Sequence, residues 1–145
     1  MGLQIMSGGF TPNVDFPLVP LSDGCGTVEA VGSGVTRCSV GDRVTPQFFS
    51  NWIGGEATQG ERAISLGLEI PGTAREYGVF PEQAVTRVAG HLSAAEGACY
   101  PCAGLTAWTS LVDKSGLVDG GWAVIQGTGG VASMGLQIAK GLGAH

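Results

Sequence analysis

The chain has 145 residues with 7 basic and 12 acidic side chains, a net charge of −5, 43% apolar residues and only 13% charged ones. That length is about one domain, and so apolar a composition with so few charges excludes a disordered chain. The acidic balance, with no basic cluster, excludes a binder that works by neutralising phosphates.

Glycine is the outlier, at 26 of 145 residues, against a usual share of ~7%. No G-X-Y period accompanies it, so the excess points to tight turns and close backbone approaches. No apolar run reaches the ~18 residues of a membrane helix. Residues 1–9 have neither the basic start nor the apolar stretch of a secretion signal. Four cysteines without secretory features read as thiols, and the expected location is cytoplasmic.

Along the chain, Leu3, Met6 and Phe10 have a short helical spacing. Thr11-Pro12-Asn13, Pro17 and Pro20 mark an extended, turn-rich stretch. Residues 27–32 alternate as a strand does and turn at Gly32-Ser33-Gly34. Gly41-Asp42 turns into a strand at Arg43-Val44-Thr45, which Pro46 limits. Residues 50–72 read as a long polar loop with one helical turn near 61–66. Arg75–Phe80 and Ala84–Val88 read as strands.

At Ser93 the texture changes. Ser93-Ala94-Ala95-Glu96 is a capping box that starts a helix. Pro101 ends or kinks it. A helix resumes from Cys102 to Val112 with Leu105, Trp108, Thr109 and Val112 on one face. Trp122–Gln126 is apolar and of strand length, as in a parallel strand buried on both faces. Trp108 and Trp122 are therefore candidate core residues. A helix with Val131, Met134, Ile138 and Leu142 on one face follows Gly127-Thr128-Gly129-Gly130. The chain thus divides into 1–92, short strands and turns, and 93–145, helices around one strand.

Gly127, Gly129 and Ala132 fit G-x-G-x-x-G/A. The pattern follows an apolar strand and opens a helix, the setting a dinucleotide fingerprint requires. Gly127 would make the turn, Gly129 would admit a pyrophosphate, and the helix N-terminus would face its charge. An ordinary glycine-rich turn between strand and helix remains the other reading. No Gly-Lys-Ser/Thr follows, which excludes a P-loop.

Several motifs occur in order: Pro17 followed by the 18–32 run Leu-Val-Pro-Leu-Ser-Asp-Gly-Cys-Gly-Thr-Val-Glu-Ala-Val-Gly, Val40-Gly41-Asp42-Arg43-Val44, Arg75-Glu76-Tyr77, Leu92–Glu96, Ala103–Trp108 and Gly127–Val131. Together they resemble the medium-chain dehydrogenase/reductase family, which includes zinc-type alcohol dehydrogenases and quinone oxidoreductases. The resemblance implies a mixed α/β fold. Residues 1–92 would be a GroES-like, β-rich partial barrel without its opening strands. Residues 93–145 would be connecting helices and the first βα unit of a Rossmann domain. The implied activity is hydride transfer between NADP or NAD, with NADP favoured, and a small-molecule alcohol, carbonyl or activated alkene. Thr106 would neighbour the nicotinamide, and Gly127, Thr128, Gly129, Gly130 and Val131 would hold the pyrophosphate. Family members pair as homodimers, and nothing here suggests a nucleic-acid or membrane partner.

Two departures from the family matter. Zinc-type members carry Gly-His-Glu where this chain has Leu21-Ser22-Asp23. Cys102 stands where a later zinc cysteine falls, and residues 50–72 lack the four cysteines of the structural-zinc lobe. Zinc is therefore not expected, which favours the quinone-reductase-like side. Members are also more than twice this long, so the chain reads as truncated at both ends. Ser22 and Asp23 are the weak catalytic candidates; they would bond substrate or ribose, or cap the turn at Gly24. Trp52 would wall the substrate pocket or merely pack.

The rival readings are a non-catalytic truncated paralogue that binds partners and, more remotely, a thiol redox protein using Cys99 and Cys102. A four-cysteine metal site from Cys25, Cys38, Cys99 and Cys102 has only one correctly spaced pair. His91 reads as a surface loop residue.

Overall fold

The computed structural model describes residues 2–9 and 15–145. Phe10 and Thr11-Pro12-Asn13 lie outside the described residues. The chain divides into two compact units, Met1–Ala98 and Cys99–His145.

The first unit begins with α1 (Gly2–Met6), whose Ile5 is buried. Its sheet is antiparallel, with β1 (Gly26–Thr27), β2 (Arg43–Pro46) and β3 (Val85–Arg87) in that order. Gly26 pairs with Val44, and Val44 with Arg87. Pro46 has no N–H to give and closes β2 against Val85, after which the Gln47 N–H reaches the Ala84 carbonyl at 2.8 Å. Ala84, Val85 and Leu66 form its small core.

Two predicted strands are shorter than expected or absent. From 27–32, only Thr27 joins the ladder, with Val28 bonded to Asp42 and Gly41 just beyond it. Residues 29–32 are exposed, and Val35 bonds back to Gly32 in a turn. Arg75–Phe80 forms no strand. Arg75 bonds back to the Thr73 carbonyl at 2.7 Å, and its guanidinium lies 5.2 Å from the Phe80 ring centre. This cation–π contact folds the segment on itself. Residues 75–79 are all exposed, and among the described residues no ladder partner meets them.

The predicted capping box is formed. Glu96 Oε2 accepts from the Ser93 N–H at 2.8 Å and hydroxyl at 2.6 Å, ahead of α2 (Ala94–Ala98). A second box, missed in the sequence, starts the 3-10 turn Glu61–Ala63. There Glu61 Oε2 accepts from the Thr58 N–H and hydroxyl, both at 2.7 Å. Glu82 does the same work over a longer range, accepting from the N–H groups of Thr36 at 2.8 Å and Arg37 at 2.9 Å.

Hydrogen bonds to the charged form hold Glu61, Glu82 and Glu96 below the ordinary carboxylate range. A depressed folded pKa stabilises above the unfolded value, and that contribution is lost as pH falls through the folded one. Stability should therefore hold down to about pH 4.3 and then fall. Glu82→Gln should flatten that decline in an acid titration followed by circular dichroism. An unchanged acid limb in the variant would contradict the assignment.

In the second unit a helical segment runs as a π-type stretch Tyr100–Gly104, α3 (Leu105–Trp108) and a second π-type stretch Thr109–Lys114. Pro101 sits in its first turn, where its missing N–H costs nothing. The buried face is not the expected one. Leu105 and Trp108 are exposed, and Gly104 and Ala107 are buried. Small residues win because α4 (Gly130–Gly141) also presents its smallest residues, Gly135 and Ala139. A Cβ on Gly135 would stand 3.3 Å from Ile125 Cδ1 and 3.6 Å from Leu111 Cδ1. Of the expected α4 face, Met134, Ile138 and Leu142 are half-buried, while Val131 is exposed. Gly143, at φ +75°, ends the helix.

Trp122–Gln126 is extended but joins no ladder. Ala123 bonds to the His145 carbonyl, and His145 bonds to Gly121. Ala123 and Ile125 turn inward, while Trp122 is 82% and Val124 97% exposed. Trp122 is thus not a core residue. A parallel strand is buried on both faces only when strands flank it and helices cover both sides. Among the described residues, no neighbouring strand is paired to it.

No helix among the described residues is long and apolar enough to cross a membrane.

Candidate functional site

In the first unit, Ser22 and Asp23 follow a residue in an unusual conformation. Leu21 has φ +71°, in the left-handed region that costs an ordinary residue roughly 1–2 kcal/mol. The surrounding backbone enforces it. A Cβ on Gly72 would fall 2.0 Å from the Leu21 carbonyl oxygen, and one on Gly67 would fall 2.7 Å from it. Three successive N–H groups then take three carbonyls: Gly72 to Val19 at 2.7 Å, Thr73 to Leu21 at 2.8 Å and Ala74 to Pro20 at 3.1 Å. The Thr73 hydroxyl donates to the Asp23 carbonyl at 2.7 Å, and the Thr45 hydroxyl of β2 donates to Gly24 at 2.7 Å.

The loop so fixed presents a hydroxyl and a carboxylate. Ser22 Oγ donates to Asp23 Oδ1 at 3.3 Å. Protein atoms that displace water from Asp23 push its carboxyl above the ordinary range, and the Ser22 bond pulls it part of the way back. Cys25, two residues on, is also pushed up by desolvation, with the positive charge of Arg43 opposing. Its thiol is held in the protonated, less nucleophilic form.

Trp52 is half-buried, and its indole N–H donates to the Gly55 carbonyl at 3.0 Å within its own loop. Close to it in sequence, the buried hydroxyl of Ser50 has no hydrogen-bond partner among the described residues. An unpaired buried hydroxyl costs roughly 1–3 kcal/mol. Ser50→Ala should therefore leave the melting temperature unchanged or raise it by a few degrees. A clear drop would show that the hydroxyl has a partner.

In the second unit, the glycine turn opens α4. Gly127 has φ +87°, and nothing lies within 4 Å of where a Cβ on Gly127 or Gly129 would be. Gly129 caps α4 without any side-chain bond to the helix. The first-turn N–H groups therefore have neither an intrahelical acceptor nor a side-chain cap. Gly130 approaches the preceding helical segment, where a Cβ would sit 3.6 Å from Ala103 Cβ. Thr128 contributes its carbonyl to Ser133 Oγ at 3.4 Å. Thr106, in α3 of the same unit, is exposed, and its carbonyl accepts from Ser110 Oγ at 2.8 Å.

Ser22, Asp23 and Trp52 thus belong to one unit, and Thr106 and Gly127–Val131 to the other. Cys99 and Cys102 lie at the start of the helical segment rather than after a strand. All four cysteines are outside disulfides. No group of three or more His, Cys, Asp or Glu side chains among the described residues is placed to hold a metal. Serine at position 22 is also a poor zinc donor. The open, uncapped turn at Gly127–Gly130 does fit a nucleotide phosphate.

Sequence reasoning missed Gly67, Gly72, Thr73 and Thr45, which act on the 21–24 loop from far along the chain. Leu21 gave no signal, since leucine rarely adopts this conformation.

Residues 2–90 match the alcohol dehydrogenase GroES-like domain. Over 99% of its length the chain is 35% identical to a zinc-type alcohol dehydrogenase-like protein of Schizosaccharomyces pombe and 33% identical to an alcohol dehydrogenase of Geobacillus stearothermophilus. It spans 42% and 44% of those proteins. Among solved structures it resembles a Sinorhizobium meliloti protein assigned as an alcohol dehydrogenase, with a TM-score of 0.87 and 45% identity, and an NAD-dependent alcohol dehydrogenase, with a TM-score of 0.77 and 32% identity. Each match covers 99% of this chain and 44% of the other.

Proposed function

Because the chain belongs to the alcohol dehydrogenase family, matching its GroES-like domain over residues 2–90, we propose that it carries the substrate side and the first nucleotide-binding turn of a nicotinamide-dependent oxidoreductase. The observation that carries the reading is the glycine turn before α4, open in front of Gly127 and Gly129 and uncapped by any side chain. The naming of one structural relative as NAD-dependent adds support for a nicotinamide cofactor.

The bound nicotinamide would accept or supply the hydride. The chain's own residues do the rest. The N–H groups at the start of α4 bind the pyrophosphate, and Gly129 leaves room for it. Thr106 borders the nicotinamide. The Ser22 hydroxyl bonds the substrate oxygen, and Asp23 orients that hydroxyl and takes up or returns its proton. The substrate is a small alcohol, carbonyl compound or activated alkene. We favour NADP over NAD, a zinc-independent site and a cytoplasmic setting.

The test is hydride transfer between NADPH or NADH and a panel of quinones and carbonyls, followed at the nicotinamide absorbance with and without a chelator. Turnover should survive the chelator and fall about 100-fold in Ser22→Ala and Asp23→Asn, the lower end of the ~10²–10⁴ range of acid–base catalysis. Turnover that is lost with the chelator, or unchanged in both variants, would contradict this assignment. A non-catalytic interaction module is the alternative that the exposed Trp122 and Val124 favour. Nucleotide binding separates the two readings.

A further inference from the structure

We propose that Thr73 is a positioning residue, a latch that holds Leu21 in its left-handed conformation and thereby sets the direction in which Ser22 and Asp23 leave the loop. The inference rests on the reading of Ser22 and Asp23 given above.

Thr73 grips the chain on both sides of Ser22. Its N–H takes the Leu21 carbonyl at 2.8 Å, and its hydroxyl takes the Asp23 carbonyl at 2.7 Å. The same hydroxyl oxygen lies 3.3 Å from the Leu21 carbonyl. Its single proton goes to the shorter contact, because the Leu21 oxygen already has the amide. The two peptide groups that bracket the Ser22-Asp23 pair are therefore fixed by one residue about fifty positions away. The Thr73 side chain also packs on Gly24, where a Cβ would fall 2.8 Å from Thr73 Cβ.

Nothing local makes Leu21 left-handed. Leucine resists that conformation, and only a surrounding structure that over-determines it keeps it there. Gly67 and Gly72 allow the close approach, and the N–H groups of Gly72, Thr73 and Ala74 supply the bonds. Of these residues, Thr73 alone also reaches past Ser22. Released, Leu21 would return to negative φ, and the peptides on either side of the Ser22-Asp23 pair would rotate.

The test uses labelled chain and NMR. In the unmodified protein, Leu21 should show the backbone shifts and N–H to Hα coupling of a left-handed residue. The Asp23 carboxyl should titrate above the ordinary range. Thr73→Val keeps the shape and removes the hydroxyl. It should abolish the Leu21 signature and return Asp23 to the ordinary range, while Thr73→Ser should preserve both. If Thr73→Val does not fold, the Asp23 comparison is made in Leu21→Gly, where left-handed backbone carries no strain. In turnover, Thr73→Val should lower kcat roughly 10-fold and leave the nucleotide KM unchanged, the pattern of a misplaced group rather than lost binding.

Unmoved Leu21 and Asp23 signals in Thr73→Val would overturn the latch. A Leu21 with the shifts and coupling of a negative φ in the unmodified protein would overturn it too. If the signals move as expected but Ser22→Ala and Asp23→Asn leave turnover unchanged, the latch stands and the catalytic reading of Ser22 and Asp23 is the part that fails.

Discussion

Gly72→Ala should be among the most damaging single substitutions in the first unit. Its added Cβ would fall 2.0 Å from the Leu21 carbonyl oxygen and 2.4 Å from that of Pro20. Both atoms are backbone, so no side chain can swing aside, and one of the two segments must move. That movement breaks the run of bonds from Gly72, Thr73 and Ala74 to Val19, Leu21 and Pro20. A clash of this kind belongs in the ~4–5 kcal/mol tail of single substitutions. For a chain of this size the melting midpoint should fall by roughly 10 °C or more, if the unit folds at all. A midpoint within a degree or two of the unmodified protein would mean that the loop contact is not as described. Gly41→Ala is the useful contrast. Its φ of +91° carries strain but nothing lies within 4 Å of its would-be Cβ, so the loss should be clearly smaller.

Gly129→Val should have the opposite profile, with little effect on folding and a large one on nucleotide binding. Gly129 has φ −74° and ψ 178°, an extended conformation that valine adopts readily. Nothing stands within 4 Å of its would-be Cβ. The melting midpoint should move by less than about 3 °C, the effect of roughly one kcal/mol. The isopropyl group would fill the space that a pyrophosphate needs to reach the first-turn N–H groups of α4. NADPH affinity should fall at least ~100-fold, which is about 2.7 kcal/mol. Titration calorimetry would read it directly. Unchanged affinity in a folded variant would place the nucleotide elsewhere.

What was legible in the sequence was local. Ser93 and Glu96 are three residues apart, and the capping box they spell is formed. The helix after Gly130 has its own period, its uncapped glycine start and its glycine end. The ordered motifs from Pro17 to Val131 carried the family, and the domain match to residues 2–90 agrees. What was not legible depends on neighbours. Trp122–Gln126 has strand composition, but a strand also needs a partner beside it, and the segment finds only single bonds at His145. Arg75–Phe80 reads as a strand, yet its arginine lies over the Phe80 ring. The inner face of the segment 100–114 was set by the small residues of α4, not by its own bulkiest side chains.

The same limit applies to the site. Ser22 and Asp23 could be singled out because they stand where zinc-type relatives carry His and Glu. The devices that fix them could not. Thr73 is 50 residues from Asp23, and Gly67 and Gly72 lie in a loop with no period of its own. Position 21 carries no local mark of a left-handed residue. This chain keeps the conformation with a leucine and supplies the constraint from elsewhere.

The central claim is that the turn at Gly127–Gly130 binds a nicotinamide nucleotide. Its most direct test is thermal unfolding of the chain with no ligand, with millimolar NADPH and with millimolar NADH. A nucleotide at about 100 times its Kd that binds only the folded chain adds roughly 2.7 kcal/mol. The midpoint should then rise by several degrees, more with NADPH than with NADH, and the rise should vanish in Gly129→Val. A cooperative melt that neither nucleotide moves would contradict the account.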